Sequence, residues 1–303
     1  MSEVPTGSAG STGSTKPTGS AGSDPTVAVT GSTGRLGGRV ARRLAELGMS
    51  QKLVVRRPDR GPRLPGAVAV RGDYADRASV LEALAGIRTV FMVSASESAE
   101  RLAQHKAFVD AAAEAGVRQL VYVSFYGASP EATFTLAHDH FHTEQHIRAS
   151  GLAYTFLRDN FYAEFVTDLV GEDGVIRGPA GQGRAAFVGQ DDIADVAATV
   201  LSRPDDHAGM TYDLTGPESL TLDEAAVILS EQLGRAVTYQ PETVEEAYAS
   251  RASYGVPPWQ LDAWVSTYTA IASGELDGVS DAVPRLTGHG ATSLADVVRT
   301  AQG

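Results

Sequence analysis

Apolar residues recur along this chain in two alternating rhythms. Short runs rich in Val, Ile, Leu and Ala give way to longer stretches in which apolar positions return every three or four residues. The first run, residues 26–30, enters a glycine turn and leaves as a predicted helix with Leu36, Val40, Leu44 and Leu47 on one face. Further predicted strands lie at 52–55, 67–70, 89–93, 119–123 and 153–157. Between them stand predicted helices: one capped by Asp76 and carrying Val80, Leu81 and Leu84, one carrying Leu102, Phe108, Val109 and Ala112 up to Gly116, and one from Leu136 to Ser150. Strands alternating with helices at this spacing predict an α/β fold with a doubly wound parallel sheet. The β-branched runs fit burial on both faces.

Beyond residue 160 the rhythm loosens. A glycine-rich excursion from Gly171 to Gly183 is a candidate lid. Asp191 and Asp192 open a capped helix, and 210–214 reads as a strand. Thr221 with Glu224 forms a capping box for a helix reaching Leu233, and the remainder is helical, with Pro257, Pro258 and Trp259 at one start. No linker interrupts this part, so residues 26–303 read as one catalytic unit. Its core spans about 26–160 and 186–215, and a small substrate-side region spans about 161–185 and 216–303. Residues 1–25, in which Pro-Thr-Gly-Ser-Ala-Gly recurs, cannot build a core and read as a disordered low-complexity tail. With no apolar h-region, they are not a secretory signal.

Composition narrows the partners. A formal net charge of -12 disfavours nucleic acid and anionic membrane, both of which want a basic surface. No apolar run reaches the roughly 18 residues of a membrane span. Without cysteine there is no disulfide framework, thiolate metal site or cysteine nucleophile, which suits a cytoplasmic protein. Monomer and homodimer are both left open.

The stretch with most chemistry is the first turn, where Gly31, Gly34 and Gly37 stand three apart between strand and helix. In that context Gly31 takes the tight turn, Gly34 admits a pyrophosphate, and Gly37 lets the helix pack close on the strand. Arg56 and Arg57 end the second strand where an NAD-preferring fold usually offers an acid, and an arginine there suits the 2′-phosphate of NADP. Asp73 sits at the end of the third strand, placed to accept from adenine or to cap its own turn. His138, His142 and His146 repeat at four-residue spacing, which can hold a divalent metal. No acid completes a site, so no metal is expected.

Several pieces coincide in order: GSTGRLG, VRRP, GDYAD, YVSFYGA, HFHTE, SGLAYTFLRDNFY and QDDIADVAA. Over about residues 26–300 the chain resembles the atypical short-chain dehydrogenase/reductases of the NmrA-like branch, and within it the NAD(P)H:quinone oxidoreductases. The resemblance implies a Rossmann-type fold, NADPH rather than NADH as cofactor, and a small aromatic or quinone substrate. By position it implies that Thr33, Gly34, Arg35 and Leu36 meet the pyrophosphate and that Arg56 meets the 2′-phosphate. Asp73 and Tyr74 would face adenine, with Val93 and Ser94 on the nicotinamide-ribose side. His140 stands where relatives carry lysine or histidine and is the catalytic candidate, to orient ribose or relay a proton. Phe125, Tyr126, Asn160, Phe161 and Tyr162 would face the substrate. The Tyr-x-x-x-Lys pair of ordinary short-chain dehydrogenases is missing. This argues against simple alcohol oxidation and matters less for a quinone, whose conjugated ring spreads the charge. A redox sensor that binds NADP(H) without turnover is the competing expectation, with a reductase or isomerase of a larger aromatic metabolite as a third.

Overall fold

The computed structural model describes residues 25–302, so the tail reading lies, Pro25 apart, outside the described residues. The first half runs β1 (Val27–Thr30), α1 (Arg35–Glu46), β2 (Gln51–Val55), β3 (Ala67–Arg71), α2 (Arg77–Leu84), β4 (Thr89–Met92), α3 (Arg101–Glu114), β5 (Gln119–Phe125), α4 (Thr135–Ala149) and β6 (Ala153–Asp159). There follow α5 (Ala163–Asp168), β7 (Val175–Gly178), β8 (Arg184–Ala185), α6 (Gln190–Ser202), β9 (Met210–Leu214), β10 (Leu220–Thr221) and α7 (Leu222–Leu233). The chain closes with β11 (Thr238–Pro241), α8 (Val244–Arg251), α9 (Pro258–Ala272), α10 (Ala282–Thr287) and α11 (Leu294–Ala301).

The main sheet is parallel throughout, in the order β3-β2-β1-β4-β5-β6-β9. This is the Rossmann-type doubly wound order, and its progression reverses between β1 and β4, opening a crevice at their carboxyl ends. Every residue of β1, β4 and β5 is buried, as expected of strands covered on both faces. On one face Val29, Leu53, Val121 and Leu157 pack with Val40 and Leu44 of α1 and Ile193 and Val200 of α6. On the other, Ala28, Val54, Val90 and Leu120 pack with Leu84, Phe108 and Ile147. Each such large side chain contributes about 1.5–3 kcal/mol by leaving water. A third cluster, including Phe125, Phe134, Phe161, Tyr239 and Tyr268, holds the later elements against the sheet's end.

Polar ties fix α4. Glu144 is fully buried, accepts from Ser124 Oγ at 2.6 Å, and meets Arg158 through Nε at 2.9 Å and Nη2 at 2.7 Å. The side chain of Asp76 caps α2 through Ser79 N, and the Thr221–Glu224 capping box opens α7, both as the sequence indicates. Two expectations are corrected. Residues 171–183 are not a lid: β7 pairs in parallel with β11, Gly178 lies against the Tyr268 ring, and Gly183 lies against the Ile271 carbonyl. The start of α6 is capped from outside, because Gln190 N donates to Glu164 of α5 at 3.0 Å while Asp192 accepts from Thr292.

Candidate active site

At the mouth of the crevice Gly31 adopts φ +65°, and a Cβ there would meet Val93 Cβ at 3.1 Å. Its carbonyl accepts from Gly34 N at 2.9 Å, closing the turn. Gly34 is the N-cap of α1, with no side-chain cap and no acidic residue in the first turn. The helix therefore offers its free N–H groups and positive end uncompensated. Gly37 serves packing: a Cβ would meet Gly31 C and O at 2.5 Å and Thr30 O at 2.7 Å.

A cavity of 490 Å³ extends from this turn, walled by Thr30, Gly31, Thr33, Gly34, Arg56, Asp73, Tyr74, Val93, Ser94 and Gln104 among others. Arg56 is exposed and forms no ion pair among the described residues, whereas Arg57 meets Asp59 at 3.5 Å. Arg35, Leu36 and Gly37 do not line the cavity. Arg35 reaches toward Asp168 at 3.7 Å and the Leu36 side chain is in the core, so only their backbone is near. Asp73 Oδ1 accepts from Ala75 N, which caps its turn. The Tyr74 hydroxyl is inside the crevice floor, donating to Val93 O at 2.7 Å beside Thr30 Oγ1 at 2.8 Å, and burial pushes its phenol well up. It ties the ends of β1 and β4 together.

A second cavity of 380 Å³ adjoins the first, and Ser94, Ala95 and Ser96 line both. Phe125, Asn160, Phe161 and Tyr162 line it as the sequence indicates. The Phe161 ring lies 5.2 Å from both Phe125 and Phe134, measured between centroids. Asn160 shapes the turn, donating through Nδ2 to Leu276 O and accepting from Phe161 N. Tyr126 is not among the residues that line the cavity. It packs on the same aromatic cluster as Phe125 and places its hydroxyl against Gly278.

His140 lines the cavity and is 6% exposed, but its chemistry differs from expectation. Arg101 Nη2 donates to its Nε2 at 2.9 Å, and Nδ1 faces the Tyr122 hydroxyl at 3.0 Å. Burial first, then Arg101 and His105, hold it well below the usual histidine range. It is a neutral acceptor that positions Arg101, not a proton relay poised near neutral pH. Arg101, 4% exposed, also donates to Ala95 O at 3.0 Å and meets Asp139 at 3.2 Å, bracing the wall between the cavities. His105 accepts from Ala95 N at 2.8 Å and fixes the same segment.

Glu97, Arg101, Phe134, Leu136, Asp159, Phe165, Trp264 and Thr267 also line the second cavity, none of them singled out from the sequence as a site residue. Arg101 and His105, four apart and both buried at the start of α3, were the available signal. The other histidines of α4 disperse: His138 meets Ala132 O, His146 meets Asp110, and His142 is exposed. Among the described residues no cluster of His, Cys, Asp or Glu is arranged to hold a metal, and no helix is long and apolar enough to cross a membrane.

The uncapped helix end, the turn bounded by Gly31 and Gly34 and the exposed Arg56 guanidinium together fit a phosphorylated dinucleotide. The comparisons agree. The NmrA-like family model matches residues 23–256. Quinone oxidoreductase 2 of Escherichia coli (strain K12) is 33% identical over 273 residues, covering 88% of this chain and 95% of the relative. The crystal structure of the Escherichia coli NADPH-dependent quinone oxidoreductase complexed with NADPH superposes with TM-score 0.83 at 32% identity, covering 91% of this chain and all (100%) of that one. NAD(P)H azoreductase of Xenophilus azovorans is 30% identical, covering 88% of this chain and 94% of the relative. Triphenylmethane reductase of Citrobacter sp., complexed with NADP(H), gives TM-score 0.80 at 34% identity, covering 91% of this chain and 99% of that one.

Proposed function

The chain belongs to the NmrA-like family, and from that premise we propose that it is an NADPH-dependent reductase of quinones or similar conjugated aromatic acceptors. The observation that carries the reading is the shared wall: a nucleotide-shaped cavity and an aromatic-lined one meet at Ser94–Ser96. When bound, NADPH supplies the hydride. The chain's own residues do the rest. Thr33, Gly34 and the first turn of α1 hold the pyrophosphate, Arg56 reads the 2′-phosphate, and Asp73 and the Tyr74 backbone flank the adenine. Val93 and Ser94 sit where the nicotinamide end reaches the second cavity. Phe125, Phe161 and Tyr162, with Asn160 at the turn, form the wall on which a flat ring lies. Excluding water there strengthens every polar contact and protects the hydride.

Residues 161–185 and 216–303 act as a substrate-side region of a single unit, and the protein works in the cytoplasm as an atypical short-chain dehydrogenase/reductase. The formal net charge of -12 and the lack of cysteine support that placement. The test is NADPH oxidation against a panel of quinones, with an NADP(H) titration alongside. Tight binding with no turnover on any quinone would replace the reductase by an NADP(H) sensor.

A further inference from the structure

Reduction of a quinone needs more than hydride. Hydride carries two electrons and one proton, so a second proton must come from elsewhere. His140 is held neutral with both ring nitrogens engaged, and Tyr162 is pushed well up by burial and keeps its proton. Two acidic groups line the cavity; Glu97 is exposed to solvent, which leaves Asp159 as the buried one. Asp159 ends β6, is 1% exposed, and lines the second cavity beside Tyr162. Its Oδ2 accepts from the Tyr162 hydroxyl at 3.2 Å, and its Oδ1 is buried with no partner.

A dry carboxylate with an unmet oxygen is costly, whereas the same group as a neutral acid has an O–H to give. No cation neutralises it. Arg101 of α3 is committed to Asp139, His140 and Ala95 O. Arg158 turns to Glu144 on the other face of the sheet, and Glu164 of α5 accepts from Gln190 N beside Arg39. Burial accordingly holds the Asp159 carboxyl well above the usual carboxylate range.

Resting on the reductase reading, we infer that Asp159 is the proton donor to the reduced acceptor. Quinone plus hydride from NADPH gives the hydroquinone monoanion and NADP+. The Asp159 O–H then breaks, the hydroquinone O–H forms, and the carboxylate left behind regains its proton from solvent once product leaves. NADPH is oxidised by two electrons and the quinone is reduced by two.

The test compares two acceptors in wild type and Asp159→Asn, which keeps the shape but cannot give up a proton. Menadione needs hydride and a proton; crystal violet, a carbocation, needs hydride alone and forms only a C–H bond. Expected are a fall of at least about tenfold in kcat with menadione, the usual scale of general acid help, and unchanged kcat with crystal violet and unchanged NADPH affinity by fluorescence titration. Infrared spectroscopy at neutral pH should show a carboxylic-acid carbonyl stretch in wild type that Asp159→Asn lacks. If wild type spares crystal violet, the cofactor isotope effect replaces that arm: with deuterated NADPH and menadione, the variant should show a smaller primary effect and a larger solvent effect. Menadione turnover near wild type, an equal fall with both acceptors, or no lost carbonyl band would overturn the assignment. A wild type that binds NADPH but reduces neither acceptor would overturn the reductase reading itself, a distinct result.

Discussion

Gly37→Ala should damage the protein more than its single methyl group suggests. The added Cβ would stand 2.5 Å from Gly31 C and O and 2.7 Å from Thr30 O. All three are backbone, so no side chain can rotate aside. Ordinary contact requires α1 to retreat from β1 by roughly 1 Å, in an interior packed like a crystal. Overpacking of this kind costs about 1–3 kcal/mol, and backbone neighbours put it at the upper end. Alanine gains back at most about 1 kcal/mol of helix propensity over glycine. The net loss is about 2 kcal/mol, which for a domain of this size lowers Tm by about 3–4 °C. The retreat also draws the α1 N-terminus away from the first cavity, so NADPH affinity should fall with Tm. Gly34→Leu is the companion. A Cβ at Gly34 meets only Gly31 O, at 3.3 Å, so Tm should hold while the side chain fills the cavity and binding is lost. Thermal scans with and without NADPH measure both, and a Gly37→Ala protein with wild-type Tm and affinity would refute the close-packing argument.

Three further outcomes are expected. Arg56→Ala should weaken NADPH by roughly tenfold or more while sparing NADH, since a charge-assisted contact of this kind is worth a few kcal/mol at most; equal loss for both cofactors, measured by titration, would make Arg56 merely structural. Glu144→Ala removes the buried partner of Arg158 and should destabilise by about 3 kcal/mol, the cost of stranding one member of a buried pair; urea unfolding within error of wild type would contradict it. His105 is held down to about 3 by burial and then by Arg101, so between pH 6.5 and 3 the unfolded chain takes up a proton that the folded one refuses. Stability should fall as pH drops through that window and be unaffected by this group above it. Unfolding midpoints across the series should flatten in His105→Gln, with a residual slope from His140, and an unaltered slope would sink the assignment.

The alternation of strands and helices, the glycine turn and Arg56 at the end of β2 were legible because each is a local pattern: a run, a spacing, a position after a strand. The second cavity was less so. Tyr126 packs on the same cluster as Phe125, yet its hydroxyl goes to Gly278, and β5 had to be seen to end at Phe125. His140 read as titratable because its perturbers are remote: Arg101 lies 39 positions earlier in the chain. Asp159 was passed over within the run 158–162, since a carboxylate at a strand end is ordinarily solvated, and only Phe161, Tyr162 and the later helices together exclude water from it. Residues 171–183 suggested a lid because glycine marks loops, but here it admits the Tyr268 ring and the α9 backbone.

The shared wall between the cavities also orders them in time. Every wall of the first cavity lies between Thr30 and Gln104, whereas the second is incomplete until Ala263, Trp264 and Thr267 of α9 arrive. A ribosome adding roughly 5–20 residues per second needs on the order of ten seconds for the stretch between. All residues that wall the coenzyme berth are thus synthesised well before those that complete the acceptor site. A ligand that binds the folded form stabilises it by mass action, so a coenzyme held at the first cavity would steady the scaffold against which the last helices pack.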